Sequence, residues 1–439
     1  MAGIFKAYDI RGIYGKDLTD EIAYRIGRAF VKFLGCRKVV VGRDMRTHSD
    51  AIFAALTRGL TEQGADVVDL GLCSTPMSYF ADGRLQADGS IMITASHNPA
   101  EWNGFKMCRE EAIPLSGPTG IQEIEKIVAS GEFGEPASRR GEVTRHDIVS
   151  EYVEHVRSFA ELKRPLRVAV DYANAMGIYE GKVLEGLVEI DPLFDELDGS
   201  FPNHEPNPLK LETFRWLQEK VRGGGYDFGI AFDGDADRVG FVDEKGEIIP
   251  MDAITALIAR MILQKEKGPI LYDLRSSWAV REVIEENGGT PLMSRVGHAF
   301  IKQQMREKKA IFAGELSGHY YFRENYYAES SSLAAIYVAN LVSASDRPLS
   351  ELVRPVRRYF ASGEINSEVA DAAAVLNRLK EHYRDGRIIE LDGLTVEYAD
   401  WWFNVRPSNT EPLVRLNLEA RTRDLMERKR DEVLALIRG

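Results

Sequence analysis

The chain has 439 residues, enough for two to four domains of ordinary size. With 44% apolar and 28% charged residues, its composition is that of a globular protein, which excludes disorder, collagen and coiled coil as descriptions of the whole chain. The formal net charge of −12 argues against general binding of nucleic acid or anionic membranes, because both require a positive field. An anionic small substrate would need a local cluster of basic residues.

Short β-branched runs alternate with amphipathic helical patterns in the first third of the chain. The pattern predicts strands over residues 38–42, 66–70 and 89–94, with a helix over residues 51–64. This β-α-β rhythm predicts a mostly parallel sheet covered by helices. The rhythm restarts near residues 167 and 269, so we expect three similar α/β units.

The tail of the chain has a different pattern. It predicts a helix over residues 372–383 with Asp371 as its N-cap, followed by strands and a final helix over 424–437. This order is typical of a smaller α+β domain. The turn-rich stretches between the patterns predict four domains, over residues 1–143, 144–244, 245–350 and 351–439.

The cysteines and the apolar stretches indicate in which cellular compartment the protein is expected. The three cysteines are far apart and odd in number, which predicts neither a disulfide framework nor a zinc site and suits a reducing compartment. The longest apolar stretches, 253–263 and 333–342, are interrupted by Arg260 and Asn340 and are shorter than the roughly 18 residues of a membrane span. We therefore expect a cytoplasmic protein without membrane or nucleic-acid partners.

An acidic loop, Asp-Gly-Asp-Ala-Asp-Arg at residues 233–238, directly follows an apolar run. Its carboxylates, Asp233, Asp235 and Asp237, alternate along the chain and can converge on one hard cation. A calcium EF-hand loop is the alternative, but its sixth position needs glycine and holds Arg238 here. The flanking runs also indicate strands rather than helices. We therefore prefer a magnesium site at the carboxyl end of a strand, with Arg238 beside it for a phosphate.

Residues 94–99, Thr-Ala-Ser-His-Asn-Pro, follow the third predicted strand and place a hydroxyl on a turn. A plain turn punctuated by Asn-Pro is the simplest alternative. An acyl-transfer serine would be flanked by glycines, and Ser96 is not. We expect His97 to project away from Ser96, because neighbouring side chains diverge on an extended backbone. A hydroxyl that carries a phosphoryl group beside a metal fits the motif better.

Three further loops carry polar groups suited to sugar phosphates. Residues 314–319, Gly-Glu-Leu-Ser-Gly-His, offer hydrogen bonds to polyol hydroxyls, although a plain polar loop is equally consistent. Residues 406–412, Arg-Pro-Ser-Asn-Thr-Glu-Pro, combine a guanidinium, hydroxyls and an amide, which favours a phosphate cradle over a capped turn before a strand. Residues 8–12, Tyr-Asp-Ile-Arg-Gly, place another arginine in a turn, where a surface ion pair is the alternative.

The hydroxyl, the acidic loop, the polyol loop and the phosphate cradle fall in four different predicted domains. We therefore expect them to meet in a cleft between domains.

With these motifs, the sequence resembles the α-D-phosphohexomutase family, and most of all its bacterial phosphomannomutase/phosphoglucomutase branch. The resemblance covers nearly the whole chain, because the four loops occur in the family's order together with residues 5–12, 103–106 and 201–208. It implies four domains around a central cleft. The first three are similar α/β domains with mixed sheets, and the last is an α+β domain of the TATA-box-binding-protein-like class.

The resemblance also implies the residues of the site. Ser96 is then carried as phosphoserine, and its phosphate shares Mg²⁺ with Asp233, Asp235 and Asp237. The implied catalytic set consists of Ser96, His97, Lys106, Arg11 and His319. The implied substrate-binding set consists of Tyr8, Asn98, Arg238, Arg275, His298, Glu315, Ser317, Arg406, Ser408, Asn409, Thr410 and Arg415.

The sequence departs from the family pattern in three places. Ala236 and Asn409 stand where many members have glycine, and neither change removes a ligand. Residues 329–331, Glu-Ser-Ser, stand where the pattern favours Asp-Ser or Asp-Gly, which leaves one domain-interface contact open.

The resemblance implies an isomerase, a phosphomannomutase/phosphoglucomutase, that moves phosphate reversibly between O1 and O6 of a hexose. Phosphorylated Ser96 would donate to the free hydroxyl, giving a hexose 1,6-bisphosphate that is both intermediate and activator. Lys106, Arg11 and His319 stay alternatives for removal of the hydroxyl proton. Phosphoglucosamine mutase, a non-catalytic sugar-phosphate-binding protein and a phosphatase stay open as functions. We expect sugar phosphates as partners and a monomer or weak homodimer.

Overall fold

The structure is a computed structural model that describes residues 3–408 and 412–439. Four domains follow one another along the chain, each built on its own sheet. Parallel and antiparallel pairs are combined in each of the first three sheets, whereas every pair in the described part of the fourth is antiparallel. The predicted order of three mixed α/β domains and one α+β domain is confirmed.

The elements of the first domain are, in chain order, β1 (Ile10–Ile13), α1 (Asp20–Leu34), β2 (Lys38–Arg43), α2 (Ser49–Glu62), β3 (Asp66–Leu72), α3 (Thr75–Arg84), β4 (Gly89–Ile93), β5 (Trp102–Arg109), β6 (Ile113–Pro114), α4 (Gln122–Ser130) and β7 (Val143–Arg145). Within the described residues the sheet has the order β1-β5-β4-β2-β3-β7, with β6 on β5. Strands β4, β2, β3 and β7 pair in parallel. The prediction of a mostly parallel sheet is wrong for the other half, because a short loop rather than a crossover helix joins β4 to β5 and reverses the chain.

The elements of the second domain are α5 (Val149–Arg157), β8 (Arg167–Asp171), α6 (Gly177–Gly181), β9 (Glu189–Leu193), α7 (Arg215–Arg222), β10 (Phe228–Phe232), β11 (Val239–Asp243) and β12 (Ile248–Ile249). The sheet order is β12-β11-β10-β8-β9. Strands β10, β8 and β9 are parallel, whereas β11 returns antiparallel to β10 across the acidic loop.

The elements of the third domain are α8 (Met251–Lys265), β13 (Pro269–Asp273), α9 (Trp278–Glu286), β14 (Thr290–Ser294), α10 (His298–Lys308), β15 (Phe312–Gly314), β16 (Tyr320–Phe322), β17 (Ala328–Glu329), α11 (Ser331–Ser343) and α12 (Leu349–Val353). The sheet order is β14-β13-β15-β16-β17. It repeats the plan of the second domain, with parallel strands on one side and an antiparallel return on the other.

The elements of the fourth domain are β18 (Phe360–Ala361), β19 (Ile365–Glu368), α13 (Ala372–His382), β20 (Arg387–Ile389), β21 (Leu394–Glu397), β22 (Trp401–Pro407), β23 (Leu413–Ala420) and α14 (Arg423–Arg438). In the described residues the sheet order is β18-β23-β22-β21-β20, with β19 also on β23. The predicted N-cap of α13 is confirmed, because the Asp371 carboxylate accepts a hydrogen bond from the Ala374 amide at 3.0 Å.

The sheets extend past two of the predicted domain boundaries. Strand β7 spans the boundary between residues 143 and 144 and pairs with β3 of the first sheet. Strand β12 lies beyond residue 244 and still pairs with β11 of the second sheet. These strands have three and two residues, too few to show a periodic pattern in the sequence.

The apolar core shows how the domains are held together. One large buried cluster is shared by the first three domains and includes Val40, Val170 and Leu257. The fourth domain has its own cluster, which includes Val396 and Phe403. The first three domains are therefore joined by a shared hydrophobic core, whereas the fourth domain has a separate core. Among the described helices, none combines the length and apolar character of a membrane-crossing segment.

Candidate active site

Three of the loops that carry predicted site residues follow strands, at the edge where α/β sheets form ligand sites. Residues 94–99 follow β4, residues 233–238 follow β10, and residues 314–319 join β15 to β16. A cavity of about 660 Å³ lies between the domains, and its wall contains residues of all four. The predicted site residues on this wall are Tyr8, Arg11, Lys106, Asp237, Arg238, Arg275, His298, Glu315, Ser317, His319, Arg406, Ser408 and Arg415.

Ser96 lies behind this wall, fully buried, on a sharp turn. Its φ of 51° is in the left-handed region, and its amide donates to Thr94 Oγ1 at 2.9 Å. The Ser96 hydroxyl donates to Asp233 Oδ2 at 3.1 Å and lies 3.2 Å from His97 Nδ1. The expectation that His97 projects away from Ser96 is wrong, because the left-handed turn replaces the extended backbone on which the two side chains would diverge.

The acidic loop lies against the turn that carries Ser96. Asp233, Asp235 and Asp237 are buried, and each offers a carboxylate oxygen within 4.8 Å of the others. Gly234 permits the close approach, because a Cβ at this position would overlap the Ser96 carbonyl oxygen. Ala236 has a φ of 58°, so at this departure from the family pattern an alanine adopts a backbone conformation that favours glycine.

The donor set of this loop fits a hard cation. Oδ1 of Asp235 is buried without a hydrogen-bond partner among the described residues, and Oδ1 of Asp237 is also buried, with His319 Nε2 3.3 Å away. Lys106 Nζ donates to Asp235 Oδ2 at 2.6 Å and to Asp237 Oδ2, and so supplies part of the positive charge that the cluster requires. Buried carboxylate oxygens without partners are costly, and oxygen ligands of this kind suit Mg²⁺.

The EF-hand alternative is excluded by the local fold. The acidic loop joins two antiparallel strands, β10 and β11, rather than two helices. Glu244, at the twelfth position of such a loop, accepts hydrogen bonds from the Ser350 amide at 3.0 Å and its hydroxyl at 2.6 Å. It therefore faces the start of α12 and not the three aspartates.

The charges of the acidic loop shift one another's pKa values. Burial, reinforced by the carboxylates of Asp237 and Asp235, raises the pKa of Asp233 well above its ordinary value. Burial acts in the same direction on Asp237, but the Lys106 ammonium holds the pKa of that carboxyl well below its usual range. Burial lowers the pKa of Lys106, yet the carboxylates of Asp235 and Asp237 outweigh this and raise it. Lys106 and the acidic loop therefore form one charge-balanced unit.

His319 connects the acidic loop to the polyol loop. Its Nε2 lies 3.3 Å from Asp237 Oδ1, and its Nδ1 lies 3.1 Å from Glu315 Oε2. Burial lowers the pKa of His319, but the Asp237 carboxylate outweighs burial and the result is a rise to about 9. The pKa of His97, in contrast, is lowered well below its usual value by burial and by the Arg238 and Arg11 guanidiniums.

The polyol loop is held rigid by buried hydrogen bonds. Glu315 Oε2 accepts a hydrogen bond from the Tyr321 hydroxyl at 2.5 Å, and Oε1 accepts one from the Gly297 amide at 3.3 Å. Arg275 forms a two-point contact with Asp273, whose Oδ2 also accepts the Leu316 amide at 2.8 Å. These contacts fix Glu315 and the Arg275 guanidinium on the cavity wall.

Residues of the first domain close the side of the cavity near Ser96. Arg11 Nη1 donates to Asn98 Oδ1 at 2.5 Å, and Arg11 Nε donates to Asp9 Oδ2 at 2.8 Å. The Tyr8 ring lies edge-on to His298, with centroids 5.6 Å apart. The first and third domains therefore face each other across the cleft through predicted site residues.

Glu329 forms the domain-interface contact that the sequence of residues 329–331 left open. Its Oε2 lies 2.6 Å from Lys302 Nζ, and both side chains are fully buried. Lys302 Nζ in turn lies 3.7 Å from the centre of the Tyr79 ring, in the first domain. A glutamate in place of the usual aspartate thus takes part in the junction between the first and third domains.

The phosphate cradle in the fourth domain surrounds a carboxylate. Glu364 Oε2 accepts from Arg406 Nη2 at 3.0 Å, and Glu364 Oε1 accepts from Arg415 Nη1 at 3.1 Å. Arg275 Nη1, from the third domain, lies 3.8 Å from the same carboxylate. Of the other predicted cradle residues, Ser408 is on the cavity wall, whereas Asn409 and Thr410 lie outside the described residues.

The described residues that contact the site but were not predicted from the sequence include Arg46, Thr75 and Glu364. Thr75 Oγ1 donates to Asp235 Oδ2 at 2.6 Å, and Arg46 contacts the carbonyl oxygen of Ser96 at 2.8 Å. Arg46 follows β2, which lies parallel beside β4, and Thr75 follows β3, which lies parallel beside β2, so their position after strands was a usable signal. Glu364 precedes a short strand and carried no such signal.

Comparison with known proteins places the whole chain in one family. Family models described as phosphoglucomutase/phosphomannomutase α/β/α domains I, II and III and the C-terminal domain match residues 2–135, 150–246, 250–359 and 364–436. A phosphomannomutase of Escherichia coli is 41% identical over 454 aligned positions, which cover 99% of each chain.

Solved structures agree with this assignment. A phosphoglucomutase/phosphomannomutase family protein from Burkholderia thailandensis matches with a TM-score of 0.92 at 33% identity, over 99% of this chain and 96% of that one. The fold is also shared, with a TM-score of 0.59 at 16% identity over 92% and 83% of the chains, by an Aspergillus fumigatus N-acetylphosphoglucosamine mutase in complex with GlcNAc-6P and magnesium. The chain therefore belongs to the phosphoglucomutase/phosphomannomutase family of isomerases, as its four motifs indicate.

Proposed function

We propose that this phosphohexose mutase moves phosphate reversibly between O1 and O6 of a hexose, with phosphorylated Ser96 as the donor and later the acceptor. The observation that carries the proposal is the contact between the Ser96 hydroxyl and Asp233, beside a cleft whose wall bears three arginines that face one another, Arg275, Arg406 and Arg415. A hydroxyl beside clustered carboxylates suits a phosphoryl carrier that shares a cation, and the arginines suit a second phosphate.

We assign Mg²⁺ to the carboxylates of Asp233, Asp235 and Asp237, together with an oxygen of the Ser96 phosphate. The unpartnered Oδ1 atom of Asp235 and the close approach of the three carboxylates support this assignment. When bound, Mg²⁺ neutralises charge on the transferring phosphoryl group and helps to align it.

The chain's own residues bind and orient the substrate. Arg406, Arg415 and Ser408, with Asn409 and Thr410, would hold the phosphate that does not react, while Glu315 and Ser317 would hydrogen-bond the sugar hydroxyls. Arg275 and His298 would reach the substrate from the third domain. The reacting phosphate would be surrounded by Tyr8, Arg11, His97, Asn98, Lys106 and Arg238, whose charges and hydrogen-bond donors stabilise the loosened phosphoryl group.

In the first transfer, the free hydroxyl of the sugar bonds to phosphorus as the bond from phosphorus to Ser96 Oγ breaks. In the net reaction the proton of the sugar hydroxyl passes to the departing Ser96 Oγ, and Lys106, Arg11 and His319 are the candidates that assist its removal. The resulting hexose 1,6-bisphosphate reorients in the cleft, and its other phosphate returns to Ser96. The enzyme regains its phosphoserine and releases the isomer. A bisphosphate supplied from solution would phosphorylate Ser96 by the same step and so act as an activator.

The two orientations of the bisphosphate determine which sugars are accepted. The protein must bind sugar groups that occupy similar positions in both orientations, and the O3 and O4 hydroxyls are such groups. Glu315 and Ser317 are the residues proposed to bind them. The substituent at C2 is less strictly recognised, so mannose and glucose 1-phosphates, which differ in configuration there, should both be substrates. An N-acetyl group at C2 adds bulk and an amide that Leu316 offers no clear way to satisfy.

The test is kcat/KM for mannose 1-phosphate, glucose 1-phosphate and N-acetylglucosamine 1-phosphate on one preparation. We expect the first two values to agree within about a hundredfold, roughly 2.7 kcal/mol, and the third to be much lower. A larger ratio between the first two would contradict dual specificity. A preference for the amino sugar would identify a phosphoglucosamine mutase, and steady release of inorganic phosphate would identify a phosphatase. Sugar binding with no turnover would identify a binding protein.

We also propose a cytoplasmic enzyme that acts on free sugar phosphates as a monomer or weak homodimer. The net charge of −12 and the three free, buried cysteines support this setting.

A further inference from the structure

Arg46 lies beneath the turn that carries Ser96 and is almost fully buried, with 2% of its surface exposed. Its guanidinium donates to three backbone carbonyl oxygens of the segment between β4 and β5 and to that of the first residue of β5. The acceptors are Ser96 at 2.8 Å and Asn98 at 2.7 Å for Nη2, and Pro99 at 2.6 Å and Trp102 at 3.0 Å for Nη1. A single side chain thus fixes the path of the segment that carries the proposed phosphoserine.

Asp44 holds this guanidinium from the other side. Asp44 Oδ2 accepts from Arg46 Nε at 3.2 Å, while Oδ1 accepts from the Arg46 amide at 3.1 Å and from the Ser49 hydroxyl at 2.8 Å. A guanidinium has five N–H groups, one on Nε and two on each Nη. The five acceptors therefore use the full donor capacity of Arg46.

The segment needs such a partner because it is irregular. Residues between β4 and β5 form no helix or strand, so their buried carbonyls cannot be satisfied by regular secondary structure. Ser96 also adopts a left-handed conformation, which an L residue adopts only when its surroundings impose it. Four carbonyls directed at one charged fork provide that constraint.

We infer that Arg46 is a positioning residue for Ser96, an inference that rests on the proposed phosphoserine mechanism. By fixing the carbonyl of Ser96 and those that follow it, Arg46 sets the position of the Ser96 hydroxyl relative to Asp233. Phosphoryl transfer depends on alignment of donor and acceptor, so a loosened turn lowers the rate of transfer. The distal phosphate is held in the fourth domain, so the affinity for the sugar phosphate depends little on Arg46.

Lysine cannot replace arginine in this role. Its ammonium has three N–H donors on one atom, whereas the site presents four carbonyls and a carboxylate around a planar fork. Charge alone is therefore not sufficient, and Arg46→Lys should behave like Arg46→Ala.

The chain offers a matched control in Arg157, which also donates to backbone carbonyls. Its guanidinium contacts the carbonyls of Lys182 at 2.7 Å, Val183 at 3.0 Å and Glu185 at 2.6 Å, within the second domain. Arg157→Ala therefore removes a comparable clamp on an irregular segment that carries no site residue.

The experiment measures kcat and KM for glucose 1-phosphate, and the rate at which glucose 1,6-bisphosphate phosphorylates Ser96, in the wild type and in Arg46→Ala, Arg46→Lys and Arg157→Ala. We expect both Arg46 variants to lose at least about a hundredfold in kcat and in Ser96 phosphorylation, with KM within about threefold of the wild type. Arg157→Ala should stay within about threefold in all three quantities. Free guanidinium ion should raise kcat of Arg46→Ala by at least about tenfold and should leave kcat of Arg46→Lys unchanged.

A kcat within about threefold of the wild type in either Arg46 variant would overturn the inference. So would an equal loss in Arg157→Ala, which would attribute the effect to general destabilisation. If Arg46→Ala does not fold, Arg46→Lys and the same limits decide the question. A folded wild type that neither turns over glucose 1-phosphate nor accepts phosphate on Ser96 would instead contradict the proposed function.

Discussion

At the scale of single residues, the conformation of Ser96 decides what its hydroxyl can do. The left-handed turn places Oγ against Asp233 and His97 and removes it from bulk water. On an extended backbone, in contrast, the side chains of Ser96 and His97 would point to opposite sides. The strained backbone angle is therefore part of the arrangement through which we propose that Ser96 carries a phosphoryl group.

Ser96→Ala should reduce turnover by at least about a thousandfold while the protein still folds, because the carrier of the phosphate is lost. The matched control is Ser90→Ala on β4, whose hydroxyl is also buried and donates to an aspartate, Asp82, at 2.7 Å. That variant should keep near-normal kcat. Steady-state kinetics with added glucose 1,6-bisphosphate, and mass measurement of the peptide that contains Ser96, provide the check. Full activity in Ser96→Ala would contradict the mechanism.

At the scale of secondary-structure elements, the strand-loop-strand unit of β10 and β11 brings the three aspartates together. Alternate residues of the tight loop turn their carboxylates to one side, and Thr75 from the start of α3 orients Asp235 through a 2.6 Å hydrogen bond. Lys106, from β5, balances the charge in the structure. Three elements of two domains therefore shape the candidate cation site.

Asp235→Asn should weaken the affinity for Mg²⁺ by at least about tenfold, because an amide is a neutral and poorer ligand than a carboxylate. Isothermal titration of the purified protein measures this directly. Chelation should abolish the activity of the wild type, and added Mg²⁺ should restore it. Asp243→Asn on β11, where Oδ1 accepts amide hydrogen bonds from Lys245 and Glu247, is the control and should bind Mg²⁺ normally. Unchanged affinity in Asp235→Asn would place the cation elsewhere.

The segment before β19 contributes Glu364 to the phosphate cradle. In the structure its carboxylate lies between Arg406, Arg415 and Arg275, the arginines that we propose to bind the substrate. Burial raises the pKa of Glu364, but the guanidinium of Arg275 and its neighbours outweighs burial and lowers it. Under the proposed function, a charged Glu364 would compete with the substrate phosphate for the same arginines.

Glu364→Gln should lower KM for glucose 1-phosphate about three- to tenfold, since the arginines lose a competing charge but keep a neutral hydrogen-bond acceptor. Steady-state kinetics at constant ionic strength measures the change. Glu368→Gln, at the exposed end of the same strand, should leave KM unchanged. An increase in KM for Glu364→Gln would mean that the carboxylate organises the arginines for the phosphate instead of competing with it.

Arg406→Ala should raise KM and also slow turnover, because a two-point contact with the phosphate and the closure of the fourth domain over the substrate are both lost. The effect on kcat/KM should be at least about a hundredfold. Unchanged kinetics would show that the distal phosphate is held elsewhere.

At the scale of the whole molecule, the fourth domain is attached through buried polar contacts. Glu419 Oε1 accepts from the Trp278 amide, at the start of α9, and from Trp402 Nε1, each at 3.0 Å. Burial raises the pKa of Glu419 to about 7, and Asp252 faces it from the third domain and adds to the rise. The junction between the third and fourth domains therefore contains a carboxyl group that titrates near neutral pH.

The sign of the pH dependence follows from this shift. The folded state holds the Glu419 proton more tightly than the unfolded chain, whose value is near the ordinary 4.5. The stabilisation of the folded state by the Glu419 proton is therefore complete below about pH 4.5. It is lost as the pH rises toward 7, which lowers the free energy of unfolding by up to about 3 kcal/mol. Glu419→Gln, which cannot ionise, should gain stability relative to the wild type between pH 5 and pH 8.

Denaturant unfolding at pH 5 and at pH 8, followed by tryptophan fluorescence, measures this difference in the free energy of unfolding. Glu368→Gln is the control and should have the stability of the wild type at both pH values. Parallel pH dependence of Glu419→Gln and the wild type would show that Glu419 does not titrate in this range.

Local residue patterns were sufficient to predict much of the molecule. The β-α-β rhythm predicted the three α/β domains, Asp371 marked the start of α13, and the loops expected to meet in a cleft do contribute residues to one cavity wall. These features depend on residue type and spacing within a few positions, which is the information that a sequence states directly.

Contacts between distant segments were decided by the tertiary structure alone. The Ser96 hydroxyl meets a carboxylate 137 residues away, Arg46 reaches the Ser96 carbonyl across 50 residues, and Glu364 lies among arginines of two domains. The partners of these polar groups depend on backbone angles such as the φ of 51° at Ser96 and on how closely two loops can approach at Gly234. Packing of the shared core sets both, because burial forces each polar group to find a partner among the segments brought beside it.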